Sequence, residues 1–520
     1  MKAAGTVGLL TLASRILGMI RDIVSAKQFG TTWQWDAFLY AFMFPNFFRR
    51  LLGEGALSSA FIPVYSETLH REGKAAAFRF SNVVGTVLAG GLLVFIIILE
   101  FVLNALVGWD ALPERLHLTI DLLRFLFPYL WFISICALFM GILNCHRHFL
   151  TPSLGPVILD IFWIAGVLWV ASLIHKAPPE QLRILSLFLL SAGVIQMAVQ
   201  IPVLMRLGFR FQWVWDLAHE GFRKTGKLLL PAVLGFAVVQ INILVDMTLA
   251  FVIGPGANSS LWYGTRLMQF PLGVFAIAMG TALLPMISEQ TANREFEAAK
   301  QTLSFAMRSV FLIILPCSVG LIVLRTPIIQ MLFERGAFDA VSTARTSFVL
   351  LCYVLGLFAY SGQKLVVAGF YAVQDTKTPV IIGVVALLSN IILNLILMWP
   401  MKEAGLALAT SISGIIQFAL LLKYYNRKIS EFPFRAILRS FLKILGASTS
   451  MGIVCWAVLN FLRQAVPGDH LTALLIQVFI PILFCITAFI GFCKVFRIHE
   501  VRETLEWMKT KKTSSVNPEF

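Results

Sequence analysis

Between Ser14 and Glu67 the chain places Arg15, Arg21, Asp22, Asp36, Arg49, Arg50 and Glu54 in a stretch otherwise apolar enough for a bilayer. An ionised side chain at bilayer depth is costly, so it normally faces protein or a water-filled cavity. Arginines recurring along two neighbouring apolar helices therefore point to a wet, cationic chamber. On a helix, Arg15, Gly18 and Asp22 share one face by i, i+3 and i+7 spacing, with Arg21 to its side. In the next helix Asn46 with Arg50, and Arg50 with Glu54, are i, i+4 pairs, and Arg49 points about 100° away from Arg50. Arg49 lies roughly 20 Å of helix beyond Asp36, near mid-membrane if Asp36 sits at the outer end. A guanidinium is permanently charged and offers a planar donor fork that matches phosphate oxygens. The chemistry expected of Arg15, Arg21 and Arg49, with Asn46 beside them, is recognition of a pyrophosphate or polyanionic head group. Asp22, Asp36, Glu54 and Arg50 would serve as gates or as charge partners while no anion is bound. The same charges could instead be mutual salt bridges that fix helix packing, Arg50–Glu54 above all.

The elements that must hold these groups follow from composition. Of 520 residues, 58% are hydrophobic and only 13% charged, with a mean hydropathy of +0.83, too few charges to cover a soluble chain of this length. Counting about 20 apolar residues per crossing gives about fourteen spans. The second, 34–68, is long enough to need the kink or unwound turn that Pro45, Gly53 and Gly55 would allow. The start of the chain has no cleavable-signal pattern and reads as a first span. The formal net charge of +15 fits basic cytoplasmic loops and a basic cavity. Nucleic-acid binding is not expected, because no large soluble basic domain is present. Lys and Arg are concentrated in alternate loops so that both termini fall on the cytoplasmic side.

An internal repeat organises the spans. Ala56, Pro63 and Glu67 match Ala278, Pro285 and Glu289 at one offset, Asp22 before Gly30 mirrors Asp246 before Gly254, and Thr151-Pro152 mirrors Thr378-Pro379. The fold expected is all-α integral membrane: two six-helix lobes related by a pseudo-two-fold along the membrane normal, plus two extra C-terminal helices. The boundaries are an N-lobe at 1–207, an amphipathic linker at 208–225, a C-lobe at 226–425, the added pair at 436–496 and a basic cytoplasmic tail at 497–520. By the repeat offset Arg266 falls across the axis from Arg49, so cations of both halves would converge. Asp246, Asn390, Asn394 and Thr410 are oxygen donors that could hold a monovalent cation or else hydrogen-bond between helices. Asp160 and Lys364 have no assigned part. The seven cysteines form no CxxC pair, and His146 and His148 lack a third ligand, so neither a metal site nor a cofactor is expected. An enzyme of prenyl-pyrophosphate chemistry would need clustered carboxylates, which do not occur.

The segments SRILGMIRD, DAFLYAFMFPNFFRRLLGEGALSSAFIPV and RLMQFPLGVFAIAMGTALLP closely resemble the MurJ/MviN family of bacterial lipid II flippases. The resemblance covers the whole chain. It implies export of undecaprenyl-pyrophosphate-linked disaccharide-pentapeptide (lipid II) from the inner to the outer face of the cytoplasmic membrane by alternating access. It also implies that Arg15, Arg21, Arg49 and Arg266 are the essential cavity arginines, that Asp22, Asp36 and Glu54 are acidic positions typical of the family, and that 436–496 forms a groove for the polyprenyl tail. Met43 and Gln269 stand where some relatives carry Lys and Glu. The expected partners are lipid II and membrane lipids, with the chain as a monomer and the membrane potential able to contribute about 2.3 kcal/mol per charge per 100 mV. The alternatives are export of another polyprenyl-pyrophosphate-linked oligosaccharide and a membrane enzyme acting on lipid pyrophosphates.

Overall fold

The structure, a computed structural model, describes residues 2–109, 111–172, 176–429, 432–498 and 500. The basic tail expected at the end of the chain lies, from residue 501 on, outside the described residues. Every regular element among the described residues is helical. They divide into two compact units: Met1–Ser259 with Arg335–Phe338, and Ser260–Glu334 with Asp339–Phe520.

The first unit contains α1 (Lys2–Phe29), α2 (Trp33–Phe48), a π-helical stretch Arg49–Ala56, α3 (Leu57–Arg71), α4 (Lys74–Val107), α5 (Glu114–Cys145), α6 (Leu150–Ser153), α7 (Gly155–Ala171), α8 (Pro178–Ala198), α9 (Ile201–Arg206) and α10 (Glu220–Ile253). Thr32 caps α2 by accepting from the Trp35 N–H at 3.3 Å. Pro178 and Pro179 open α8, where a missing N–H costs nothing. The most buried helix is α5, which packs against α2, α3, α4 and α8. Lipid tails are as apolar as leucine, so close packing must hold such helices together. Glycines supply it: a Cβ on Gly166 would stand 2.9 Å from Leu185, and one on Gly193 would stand 2.7 Å from the Tyr129 ring. Around Trp163 of α7 the rings of Trp35, Phe38 and Phe42 meet edge-on at 5.0–6.3 Å.

The segment expected to be an amphipathic linker runs non-helically from Phe209 to Asp216 along α4. Its backbone polar groups are taken by two side chains one helical turn apart. Asn82 donates to the Arg210 carbonyl and accepts from the Gln212 N–H (3.1 and 3.2 Å), and Thr86 accepts from the Val214 N–H (2.9 Å). That accounts for non-helical backbone packed against an apolar helix, where an unpaired group would be expensive. Trp213, Trp215 and Leu217 remain exposed, as an interfacial segment requires.

The second unit contains most of α11 (Ala257–Pro271), a second π-helical stretch Leu272–Ala276, α12 (Ile277–Ala292), α13 (Phe296–Phe333), α14 (Ala340–Val354), α15 (Leu357–Ala372), α16 (Lys377–Lys428), α17 (Phe434–Ala465) and α18 (Leu471–Val495). The two π stretches fall at matching places in the repeat, since the offset that carries Ala56 to Ala278 carries Arg50–Glu54 onto Leu272–Ala276. The continuous run α16 is two helices. Lys402 has φ 51° and ψ −134°, a Cβ on Gly405 would meet the Leu397 carbonyl, and Asn390 lies beside Thr410 and Ser413. The chain therefore folds back on itself at Pro400–Lys402, where the sequence divides the apolar run into spans at about 378–400 and 403–424. The α17–α18 hairpin packs on α13 through Gly452, Met451, Cys455, Cys485 and Leu324.

Nine helical segments among the described residues are long and apolar enough to cross a membrane. They become ten when α14 and α15, bent by 41° at their junction, count as one span. The helices α1 and α10, and the run of α2, its π stretch and α3, are not in that set of nine.

Candidate functional site

The charges of α1 do not share one environment. Arg15 is exposed, and no acid among the described residues pairs with it. Arg21, six residues on, is only 5% exposed. Its Nη2 and Nε donate to Asp22 Oδ1 at 2.9 and 3.1 Å, and its Nη1 donates to Asp160 Oδ1 of α7 at 2.9 Å. The guanidinium lies 4.7 Å from the centre of the Trp163 ring, whose indole N–H donates to Ser25 at 3.1 Å. Ser14 reaches the other Asp160 oxygen at 3.4 Å, and a Cβ on Gly18 would stand 3.7 Å from it. Two carboxylates thus face one guanidinium at the α1–α7 contact. Asp160 is the partner that spacing alone could not supply. The available signal was a lone aspartate in the apolar run of α7, with Trp163 one helical turn away.

In α2, Asn46 Oδ1 accepts from Arg49 Nε at 3.0 Å. This corrects the expected face relations beyond Asn46. The π-helical winding of Arg49–Ala56 makes i→i+5 bonds and turns each residue by less than an α-helix does. The i, i+4 spacing and the 100° step therefore do not carry through Arg50 and Glu54. Arg49 and Arg50 are half-buried, and the Glu54 side chain lies outside the described residues.

Asp36 is fully buried. It accepts from the Gly256 and Ser259 N–H groups at 2.5 and 2.8 Å, from the Ser259 hydroxyl at 2.7 Å, and from Arg115 at 3.4 Å. Arg115 also donates to the Phe251 carbonyl at 2.6 Å and to the Gly254 carbonyl at 3.4 Å, and covers the Phe251 ring at 3.9 Å. One acid and one arginine thereby fix the turn after α10 to the starts of α2 and α5. Arg115, at the start of α5 behind Pro113, carries no sequence signal that points to Asp36.

In the second unit, Arg266 is half-buried, 5.2 Å from the centre of the Trp262 ring. Asn394 donates to Asn390 at 2.8 Å, and Asn390 donates to Thr410 at 3.3 Å. These three oxygen-bearing groups therefore stand together across the α16 hairpin, while Asp246 is a half-buried residue of α10 in the first unit. Two further ion pairs cross apolar helices in the first unit: Glu100 with Arg124 at 2.8 Å and Asp121 with Arg183 at 2.6 Å. Among the described residues no group of three or more His, Cys, Asp or Glu side chains could hold a metal.

Comparison with known proteins follows the same lines. The "Probable lipid II flippase MurJ" of Haemophilus influenzae is 34% identical over 482 residues, covering 88% of this chain and 92% of that protein. A solved structure described as "Lipid II flippase MurJ, inward closed conformation" is 31% identical, with a TM-score of 0.79 over 94% of this chain and 98% of its own. An inward-facing transporter of the multidrug resistance MATE family shares the fold alone, at 15% identity and a TM-score of 0.65 over 81% of this chain and 95% of its own. The family model described as "Lipid II flippase MurJ" matches residues 25–476, and the chain belongs to that family.

Proposed function

We propose that this multi-pass membrane protein carries the lipid-linked peptidoglycan precursor lipid II from the inner to the outer leaflet of the bacterial cytoplasmic membrane by alternating access. The observation that carries the reading is its kinship, along nearly the whole chain, to proteins named lipid II flippases. In this reading Arg15, Arg49 and Arg266, with Asn46, bind the pyrophosphate and head group in a cationic cavity. The exposure of Arg15 and the Asn46–Arg49 hydrogen bond support it. Arg21 belongs to the same set but must leave Asp160 before it can reach a phosphate, so it also sets the seating of α1. Asp22, Asp36, Glu54 and Arg50 are the charge partners that gate the path.

Fourteen crossings follow if α1, the α2–α3 run, α10, the bent α14–α15 pair and each half of α16 all span, giving two six-helix lobes, the α17–α18 pair for the polyprenyl tail, and both termini inside. The chain acts as a monomer. Transport draws on the membrane potential, with Asp246 in one unit, or the Asn390–Asn394–Thr410 cluster in the other, as ligand for a monovalent cation. Any ligand drives the cycle only by binding the two states unequally.

The test is growth of cells depleted of their own lipid II flippase, with membrane levels of each variant measured. Wild type restores growth, whereas R15A, R49A and R266A, inserted at normal levels, do not. Failure of well-inserted wild type removes the cargo. Rescue by all three variants leaves the cargo but removes the cationic cavity.

A further inference from the structure

We propose that Lys364, on α15, is a further anion-binding residue of the transport path and contacts the phosphates of the polyprenyl-pyrophosphate cargo. The inference rests on the flippase reading. Lys364 stands eight residues before the end of α15 at Ala372, about 12 Å along the helix and so at hydrocarbon depth. The roll of α15 is fixed by its neighbours. Gly362 and Gly369 sit against Phe418 and Tyr425, Leu365 and Val366 are buried, and Gln363 donates to the Gly414 carbonyl at 2.6 Å. That packing turns Lys364 away from the second half of α16 and leaves it exposed.

Four other cations in the second unit's helices are matched. Arg308 pairs with Glu500, Arg345 with Glu403, Arg325 donates to the Ile322 carbonyl, and Arg266 lies on Trp262. No carboxylate among the described residues lies within ion-pair distance of Lys364. An unmatched, exposed ammonium at that depth is expensive against lipid, and is held at lower cost where it meets water or an anion. Arg15 has the same pattern in the first unit.

The location supports the role. Lys364 packs against α12 at Gly280, four residues past the second π stretch. In the first unit the corresponding π stretch itself begins with Arg49 and Arg50, whereas Leu272–Ala276 holds no charge. The second unit thus provides its cation next to the π turn from a different helix. A lysine suits this place because its ammonium, a point charge on a flexible stem, can follow a moving phosphate.

Two experiments test the assignment. In the depletion background, K364R restores growth, while K364Q and K364E, at wild-type membrane levels, do not. Purified K364Q binds undecaprenyl pyrophosphate about tenfold more weakly than wild type, the size of one lost charge-assisted contact. In membrane vesicles, K364C reacts with a membrane-impermeant methanethiosulfonate, and undecaprenyl pyrophosphate slows the reaction. Wild type, whose seven cysteines are buried or half-buried, gives the background. Growth on K364Q equal to wild type, or K364C that stays unmodified from both faces, overturns the proposal. If wild type itself fails to restore growth, the flippase reading falls. The binding and thiol results still decide whether Lys364 meets water and phosphate.

Discussion

At the scale of single residues, burial separates two kinds of arginine that look alike in sequence. Arg15 and Arg21 are six positions apart, yet one is exposed and the other is enclosed by Asp22, Asp160 and Trp163. Removing one member of a buried ion pair strands the other's charge, which costs about 3 kcal/mol or more, whereas removing both is often tolerated. R21Q strands both Asp22 and Asp160 and should therefore lower the thermal stability of the purified protein sharply, and R21Q/D22N/D160N should recover much of the loss without recovering transport. Equal stability of R21Q and wild type would show that the triad does not hold α1 to α7. The need for buried compensation was legible in the sequence, because apolar helices cannot carry bare charges. The identity of the compensating group was not, since Asp160 is 139 positions from Arg21 and only packing brings them together.

At the scale of elements, the α1–α2 corner is decided by backbone rather than charge. Gly30 and Gly336 both adopt left-handed conformations, with φ of 57° and 62°. A Cβ on Gly30 would stand 2.1 Å from the Ala337 carbonyl oxygen, and one on Gly336 would stand 2.4 Å from that of Lys27. Between them the Ala337 N–H donates to Lys27 at 2.9 Å. G30A or G336A combines a left-handed penalty with a backbone collision and should cost at least about 2 kcal/mol. It should also open residues 335–338 to proteolysis. G91A, in the interior of α4 with nothing near its Cβ position, is the control and should be neutral or gain up to about 1 kcal/mol. Unchanged stability in G30A would mean the corner is not clasped. Sequence reading marks Gly30 only as a repeat partner of Gly254. Similarly, Pro45, Gly53 and Gly55 signalled an interrupted second helix, but not that the interruption is π-helical. That winding, a detail of hydrogen bonding, undoes the side-chain spacing inferred for Arg50 and Glu54.

For the whole molecule, the decisive quantity is the number of crossings, because its parity sets the side on which the chain ends. The helix α16 is one continuous 52-residue run, longer than any single bilayer crossing needs. The reversal at Lys402, the contact of Gly405 with Leu397 and the pairing of Asn390 with Thr410 make it a hairpin whose two arms, each above twenty residues, can both cross. In the fourteen-crossing reading proposed above, that hairpin makes the count even and returns the basic end of the chain to the cytoplasmic side, in line with the excess of Lys and Arg. A fluorescent protein fused after Phe520 should therefore fluoresce. Alkaline phosphatase inserted near Pro467, between α17 and α18, should be active, and near Asn293, between α12 and α13, inactive. A dark C-terminal fusion with active phosphatase at Asn293 would mean an odd number of crossings before α13. A dark fusion with inactive phosphatase at Asn293 and at Pro467 would place the odd step between α13 and α17, where α16 is the element whose arms would then fail to cross separately.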